Sequence, residues 1–273
     1  MQSCNYIPHL PLCKFVDYFW FVEGWDLPHT RERLFPSARM ELVIDLSENK
    51  ALQNSRGSCS PTNKLQTPIL SGAYSESSII EIAPLSCMIG IQFKPGGSFP
   101  FFNPPADELH NKRVALTDLW GMTALKVQEQ LLAAPTVDAC FHLLEQILLA
   151  QTVKILKLHP AVVYALDEFQ QTSSGYAVAD VVAQTGLSSR RFIQLFREQV
   201  GLTPKLFCRI QRFQQSLEAI AREKEIKWIS VANACGYFDQ AHFINEFRAF
   251  SGLNPTAYLT QRGENPNHLP LFD

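Results

Sequence analysis

Two stretches near the end of this 273-residue chain carry the same pattern. GLSSRRFIQLFREQVGLTPKLF (186–207) and GYFDQAHFINEFRAFSGLNPTAY (236–258) share a turn glycine (Gly186, Gly236) and two phenylalanines four residues apart (Phe192 and Phe196, Phe243 and Phe247). They also share an arginine (Arg197, Arg248), a Gly-Leu pair and a proline (Pro204, Pro255). From Phe192 and Phe243 onward, the matching residues stand 51 positions apart. A stacked solenoid generally needs three or more repeats, so two copies point to one small motif used twice.

Each copy has the same grammar. A short amphipathic helix (178–185; 229–235) ends at a glycine, which supplies the left-handed backbone of a sharp turn. Ser188 or Asp239 then offers an oxygen at an N-cap position, and a second helix begins. On that helix the two phenylalanines are i and i+4 and face inward together. Arg190, Ile193, Gln194 and Arg197, or Gln240, Ala241, Ile244, Asn245 and Arg248, are left on the outer face. Helix, glycine turn and capped helix, apolar inside and polar outside, is the grammar of a helix-turn-helix, whose second helix enters the major groove of DNA. The outer residue types suit that task. Arginine bridges two acceptors of guanine, glutamine and asparagine bridge adenine, and small apolar groups meet the thymine methyl.

The two units, with the connecting segment FCRIQRFQQSL, resemble the DNA-binding region of AraC/XylS-type bacterial transcription regulators over roughly residues 160–262. The motif G-[FY]-x-D-Q-[SA]-H-F-x-x-x-F-[KR]-x-x-x-G-x-x-P carries the resemblance. It implies an all-α domain of about seven helices, whose two reading helices enter adjacent major grooves about 34 Å apart. It assigns base contacts to Arg190, Ile193, Gln194, Gln240, Ala241, Ile244 and Asn245. Contacts to the DNA backbone are expected from Ser189, Arg191, Arg197, His242 and Arg248. Gly186, Phe192, Phe196, Pro204, Gly236, Phe243, Phe247 and Pro255 form the motif's core. Val182 and Ser216 stand where the family usually has alanine, and Asn245 where it often has arginine.

Upstream the pattern changes. YFWFVEGW (18–25), RMELVIDLS (39–47), SIIEIAP (78–84) and CMIGIQFKPGG (87–97) read as strands, and 50–67 as a polar loop. FVEGW, LFPSARMELVIDL and MIGIQFKPGGSFPFF resemble the cupin-like, strand-rich sensor domain of one subgroup of such regulators. An α+β chain is expected: a β-rich barrel or sandwich over 1–114, a helical connector over 115–159, the all-α domain over 160–262 and a tail over 263–273. The connector is read as one helix from Thr117 to about Ala134 and a second, capped by Thr136, with an apolar stripe from Phe141 to Val153. That stripe suits either a dimer surface or packing on the chain's own strands. Trp20, Trp25 and Phe93 are the candidates to line an effector pocket.

Charge and cysteines narrow the function further. The chain is net −2, but residues 160–262 hold 11 Lys and Arg against 9 Asp and Glu, so DNA binding would rest on a few placed cations. Seven scattered cysteines without a C-x-x-C pair argue against a disulfide framework and a structural zinc site, and no cofactor is expected. No secretory signal or membrane span is visible, so a cytoplasmic protein is expected. The expected partners are double-stranded promoter DNA, a small-molecule effector, RNA polymerase if the protein activates, and a second copy of the chain. His242 lacks neighbours at ligand spacing, Asp239 reads as a cap, and FKPGGSF (93–99) lacks phosphate-loop spacing, so no enzyme is nominated. Two alternatives stay open: a cupin-type enzyme fused to a DNA-binding module, and a repair regulator that accepts alkyl groups on cysteine.

Overall fold

A computed structural model describes residues 2–24, 28–47, 67–82, 86–171, 178–223 and 225–272. Trp25 and nearly all of the polar segment 50–67 lie outside them. Among the described residues the first half is built from short antiparallel strands in two sheets. β1 (Gln2–Tyr6), β2 (Val16–Glu23), β7 (Cys87–Phe93), β4 (Glu41–Asp45), β5 (Ile69–Ser71) and β8 (Arg113–Ala115) are neighbours, in that order, in a six-stranded sheet. β6 (Ser78–Glu81), β3 (Arg31–Leu34) and β9 (His268–Leu271) form the second sheet.

The six-stranded sheet uses the two-residue alternation of strands to present two different faces. Phe19, Phe21, Leu42, Ile44, Ile89, Ile91 and Phe93 are buried in the core. Their neighbours Tyr18, Trp20, Glu41, Val43, Met88 and Gln92 are half-buried and border a cavity shared with the second sheet. Phe93 is fully buried and packs on Phe101 and Phe102, so unlike Trp20 it does not line that cavity. Register explains the split, because Gln92, one residue before Phe93, faces the cavity.

The connector differs from its sequence reading. The expected helix from Thr117 is two, α1 (Leu116–Trp120) and α2 (Thr123–Ala133), broken at Gly121 with φ 59°. The first is capped at Ala115 rather than Thr117, with no side-chain bond. α3 (Val137–Ala150) begins as expected, Thr136 accepting a hydrogen bond from the Ala139 N–H. Its stripe packs on the chain's own sheet, with Phe141 stacked 5.3 Å from Tyr6 and 6.3 Å from Phe19. Val153 lies beyond the helix and is exposed.

Seven helices follow among the described residues: α4 (Pro160–Gln171), α5 (Val178–Gln184), α6 (Ser189–Val200), α7 (Pro204–Arg222), α8 (Trp228–Ala234), α9 (Gln240–Ser251) and α10 (Pro255–Gln261). α7 is 19 residues long and joins the two repeats, burying Phe207, Ile210, Phe213, Leu217 and Ile220 along one side. The segment read as a tail then turns back, and β9 pairs with β3 in register from Leu34–His268 to Arg31–Leu271. The chain's end thereby completes the smaller sheet of its first half.

Candidate nucleic-acid interface

The repeat in sequence is a repeat in structure. α5 and α6, like α8 and α9, are joined through a glycine in the left-handed region, Gly186 at φ 69° and Gly236 at φ 71°. Ser188 Oγ accepts from the Arg191 N–H, and Asp239 Oδ1 accepts from the His242 N–H at 2.7 Å. Each cap satisfies a backbone donor that the first helical turn leaves free. Both helices end at glycines in the same conformation, Gly201 at φ 92° and Gly252 at φ 77°. Capped prolines, Pro204 after Thr203 and Pro255 after Asn254, start the next helices.

Aromatic packing holds each unit. Phe192 and Phe196 have no exposed surface, and Phe196 meets Phe169 and Phe207 at ring distances of 6.0 and 5.6 Å. Phe243 and Phe247 are equally buried, between Trp228, Tyr237, Phe213 and Tyr258. With the inner faces fixed, the outer faces follow. Arg190, Ile193, Gln194, Ala241 and Asn245 are exposed, and Gln240 and Ile244 are half-buried. Ser189, Arg191 and Arg248 are exposed as well, while His242 is half-buried, its ring edge-on to Tyr237. Within α6, Arg191 Nη1 donates to Gln194 Oε1 at 3.3 Å, so the two polar groups are held together.

Several polar contacts were invisible to residue spacing. Glu246, on the inner side of α9, is buried and accepts from Arg209 Nε at 2.6 Å, tying α9 to α7. Glu246 burial also bears on Tyr237, whose hydroxyl is pushed up first by desolvation and then by that carboxylate. The ends of both reading helices meet the first half of the chain. Arg197 Nη2 lies 2.9 Å from Asp107 Oδ2, and Arg33 Nη1 donates to the Ser251 carbonyl at 3.0 Å. Phe35 inserts beside them, 5.9 Å from Phe213 and 5.7 Å from Tyr258. Gln214 Nε2 donates to the Pro36 carbonyl at 2.6 Å.

Among the described residues, no cluster of three or more His, Cys, Asp or Glu could hold a metal, and no helix is long and apolar enough to cross a membrane. The thiols of Cys208 and Cys235 are both pushed up to about 11, chiefly by burial.

Comparison with known proteins matches two separate parts of the chain. Residues 5–115 match a family described as a domain of unknown function (DUF6597), and residues 181–261 match one described as a helix-turn-helix domain. The probable transcriptional regulator LumQ of Photobacterium leiognathi is 30% identical over 89 residues, 33% of this chain and 36% of LumQ. An uncharacterised HTH-type transcriptional regulator of Haemophilus influenzae is 22% identical over 132 residues, 45% of this chain and 44% of that protein. The chain thus matches less than half the length of either relative. Among solved structures, ToxT of Vibrio cholerae bound to a naphthalenyl-butenoic acid aligns over 95% of this chain and 98% of its own, with 10% identity and a TM-score of 0.42. The C-terminal part of this chain is an AraC-type helix-turn-helix domain of the kind found in transcriptional regulators.

Proposed function

We propose that the chain is a cytoplasmic, sequence-specific DNA-binding transcription regulator, and that its mechanism is recognition rather than catalysis. The observation that carries this reading is the pair of equivalent helices, α6 and α9, each capped, pinned by two buried phenylalanines, and presenting an outer face of base-reading residue types. Arg190, Ile193 and Gln194 on α6, and Gln240, Ala241, Ile244 and Asn245 on α9, choose the sequence. Ser189, Arg191, Arg248 and the helix N-termini set the position on the phosphates. Two linked readers make the second contact intramolecular, which extends the site beyond what one helix supplies.

The strand-rich part, residues 1–114, acts as the sensor in this reading, joined through 115–159 to the reader over 160–262. β3 and the residue after it support that assignment: Glu32, Leu34 and Phe35 border the cavity, while Arg33 and Phe35 hold the end of α9 and its neighbours. A ligand that shifts β3 therefore has a direct mechanical route to the second reading helix. RNA polymerase, if the protein activates, and a second copy of the chain are the remaining partners of the proposal.

Selection of binding sites from random DNA tests the reading. The wild type should yield one extended site, with Arg190→Ala and Asn245→Ala each relaxing preference at a separate position by about 1–3 kcal/mol. Uniform weakening across all sequences would remove these residues from the set of readers. Failure of any preferred site to emerge at about 150 mM salt would sink the regulator reading.

A further inference from the structure

The cavity between the two sheets, of about 480 Å³, is large enough for a small organic molecule. Its floor is the outward face of the six-stranded sheet and its roof includes β3, β6 and His268 of β9. Trp20 is laid flat on that floor by a glycine. It pairs with Gly90 across the β2–β7 ladder, and a Cβ on Gly90 would lie 2.3 Å from the indole. No residue with a side chain could stand there. With one indole face on Gly90, the other borders the cavity, and Trp20 Nε1 donates to Glu41 Oε1 at 2.9 Å.

Of the charged side chains around this floor, some are paired, some sit at the exposed rim, as Glu81 does, and Glu41 lies against the indole. Arg39 is paired with Asp17 at 2.6 Å. Glu32 is shared between His29 and His268. Asp45 accepts the Ser47 N–H, and Arg113 is exposed at the edge. Among the described residues, Glu41 has only the neutral indole as its hydrogen-bond partner, and no lysine or arginine forms an ion pair with it. Desolvation dominates at Glu41 and raises its pKa, although the His268 charge and the indole bond oppose it. A desolvated carboxyl in that condition gains most from a cation brought to it, and an indole face attracts the same cation.

We propose that this cavity binds a small organic cation, an aromatic or aliphatic amine whose nitrogen is held by Glu41 while its body lies on Trp20. The proposal rests on the sensor reading above and adds the chemical class of the effector.

Calorimetric titration of the full chain at pH 7.5 with benzylamine, benzyl alcohol and benzoate, matched in shape and differing in charge, tests the class. Benzylamine should bind at least tenfold more tightly than the other two. Glu41→Gln should reduce that preference to within about twofold, and Trp20→Leu should weaken all aromatic probes together. A thermal melt of each variant separates loss of the site from loss of the fold, and Glu41→Asp, which keeps the charge, should retain part of the preference. Equal or tighter binding of benzoate or benzyl alcohol, an unchanged preference in a folded Glu41→Gln, or no binding of any probe would overturn the proposal. Affinity for the selected DNA site, measured with and without whichever probe binds, decides the sensor reading separately. Binding that depends on Glu41 yet leaves DNA affinity unchanged would support the cation site and remove its effector role.

Discussion

Arg197, near the C-terminal end of the first reading helix, holds Asp107 of the strand-rich half at 2.9 Å. Its counterpart in the second repeat, Arg248, is exposed, and that helix is held instead by Arg33 donating to the Ser251 carbonyl. The same motif position thus serves docking in one copy and is open to solvent in the other. Both helices are fixed to the strand-rich half at their C-terminal ends, which leaves their N-terminal halves free to meet a groove.

Asp107→Ala should release Arg197 for phosphate. The pair is partly exposed, 52% on the arginine side and 26% on the aspartate, so its loss should change unfolding free energy by less than about 1 kcal/mol. DNA affinity at low salt should rise, and the slope of log K against log salt should steepen by about 0.9, the value for one added phosphate contact. Fluorescence anisotropy over a salt series reads both. An unchanged slope would place Arg197 in docking alone.

A pH dependence follows from Glu32, which joins the chain's end to its beginning. Burial alone would raise its pKa, but hydrogen bonding to His268 and His29 outweighs this and the carboxyl is lowered. A lowered folded-state pKa contributes stability that is present above the ordinary carboxylate value, about 4.3, and is lost as pH falls through the folded value. Melting temperature should therefore drop as pH falls below about 4, and the drop should be shallower in Glu32→Gln. Loosening of β9, read by hydrogen exchange over 268–271, should accompany it, because His268 loses its acceptor.

The cysteines bear on the alkyl-acceptor alternative. A thiol pushed up to about 11 holds little thiolate at neutral pH, so Cys208 and Cys235 should resist iodoacetamide at pH 7.5 in the folded chain and react after denaturation. Peptide mass mapping before and after unfolding checks this. Rapid alkylation of Cys235 in the native protein would reopen that alternative.

How much of this was legible depended on whether a contact is local. The two reading units could be read because their determinants lie within one turn of one another: cap, i and i+4 aromatics, closing glycine. Gly121 was equally local, yet the sequence reading runs one helix through it from Thr117 to about Ala134, where the chain breaks between α1 and α2. HLPL (268–271) could not be read as a strand, since four residues containing proline acquire that conformation only by pairing with β3, far away in sequence. Asp107, Phe35 and Glu41 share that limit. Each matters through a partner that only the folded chain brings near, whereas Trp20, flagged for its aromatic character, and Phe93, flagged alongside it, differ by which strand face they occupy.

Three glycines in the left-handed region form a graded test of that docking. At Gly186 an added Cβ meets nothing within 4 Å, so Gly186→Ala should cost only the backbone strain, about 1 kcal/mol. At Gly252 the Cβ would lie 2.7 Å from Arg33 Nη1, the far end of a flexible side chain that can swing away while giving up its bond to Ser251. At Gly201 it would lie 3.0 Å from the Ala106 carbonyl and 3.3 Å from Met40, and a backbone oxygen cannot move without shifting the segment that carries Asp107. Chemical denaturation should rank the losses Gly186→Ala, Gly252→Ala, Gly201→Ala in increasing order. Only the last should also disturb the Arg197–Asp107 pair, so its salt slope for DNA should approach that of Asp107→Ala. A loss at Gly201 no larger than at Gly186 would mean that α6 does not press on the strand-rich half in solution.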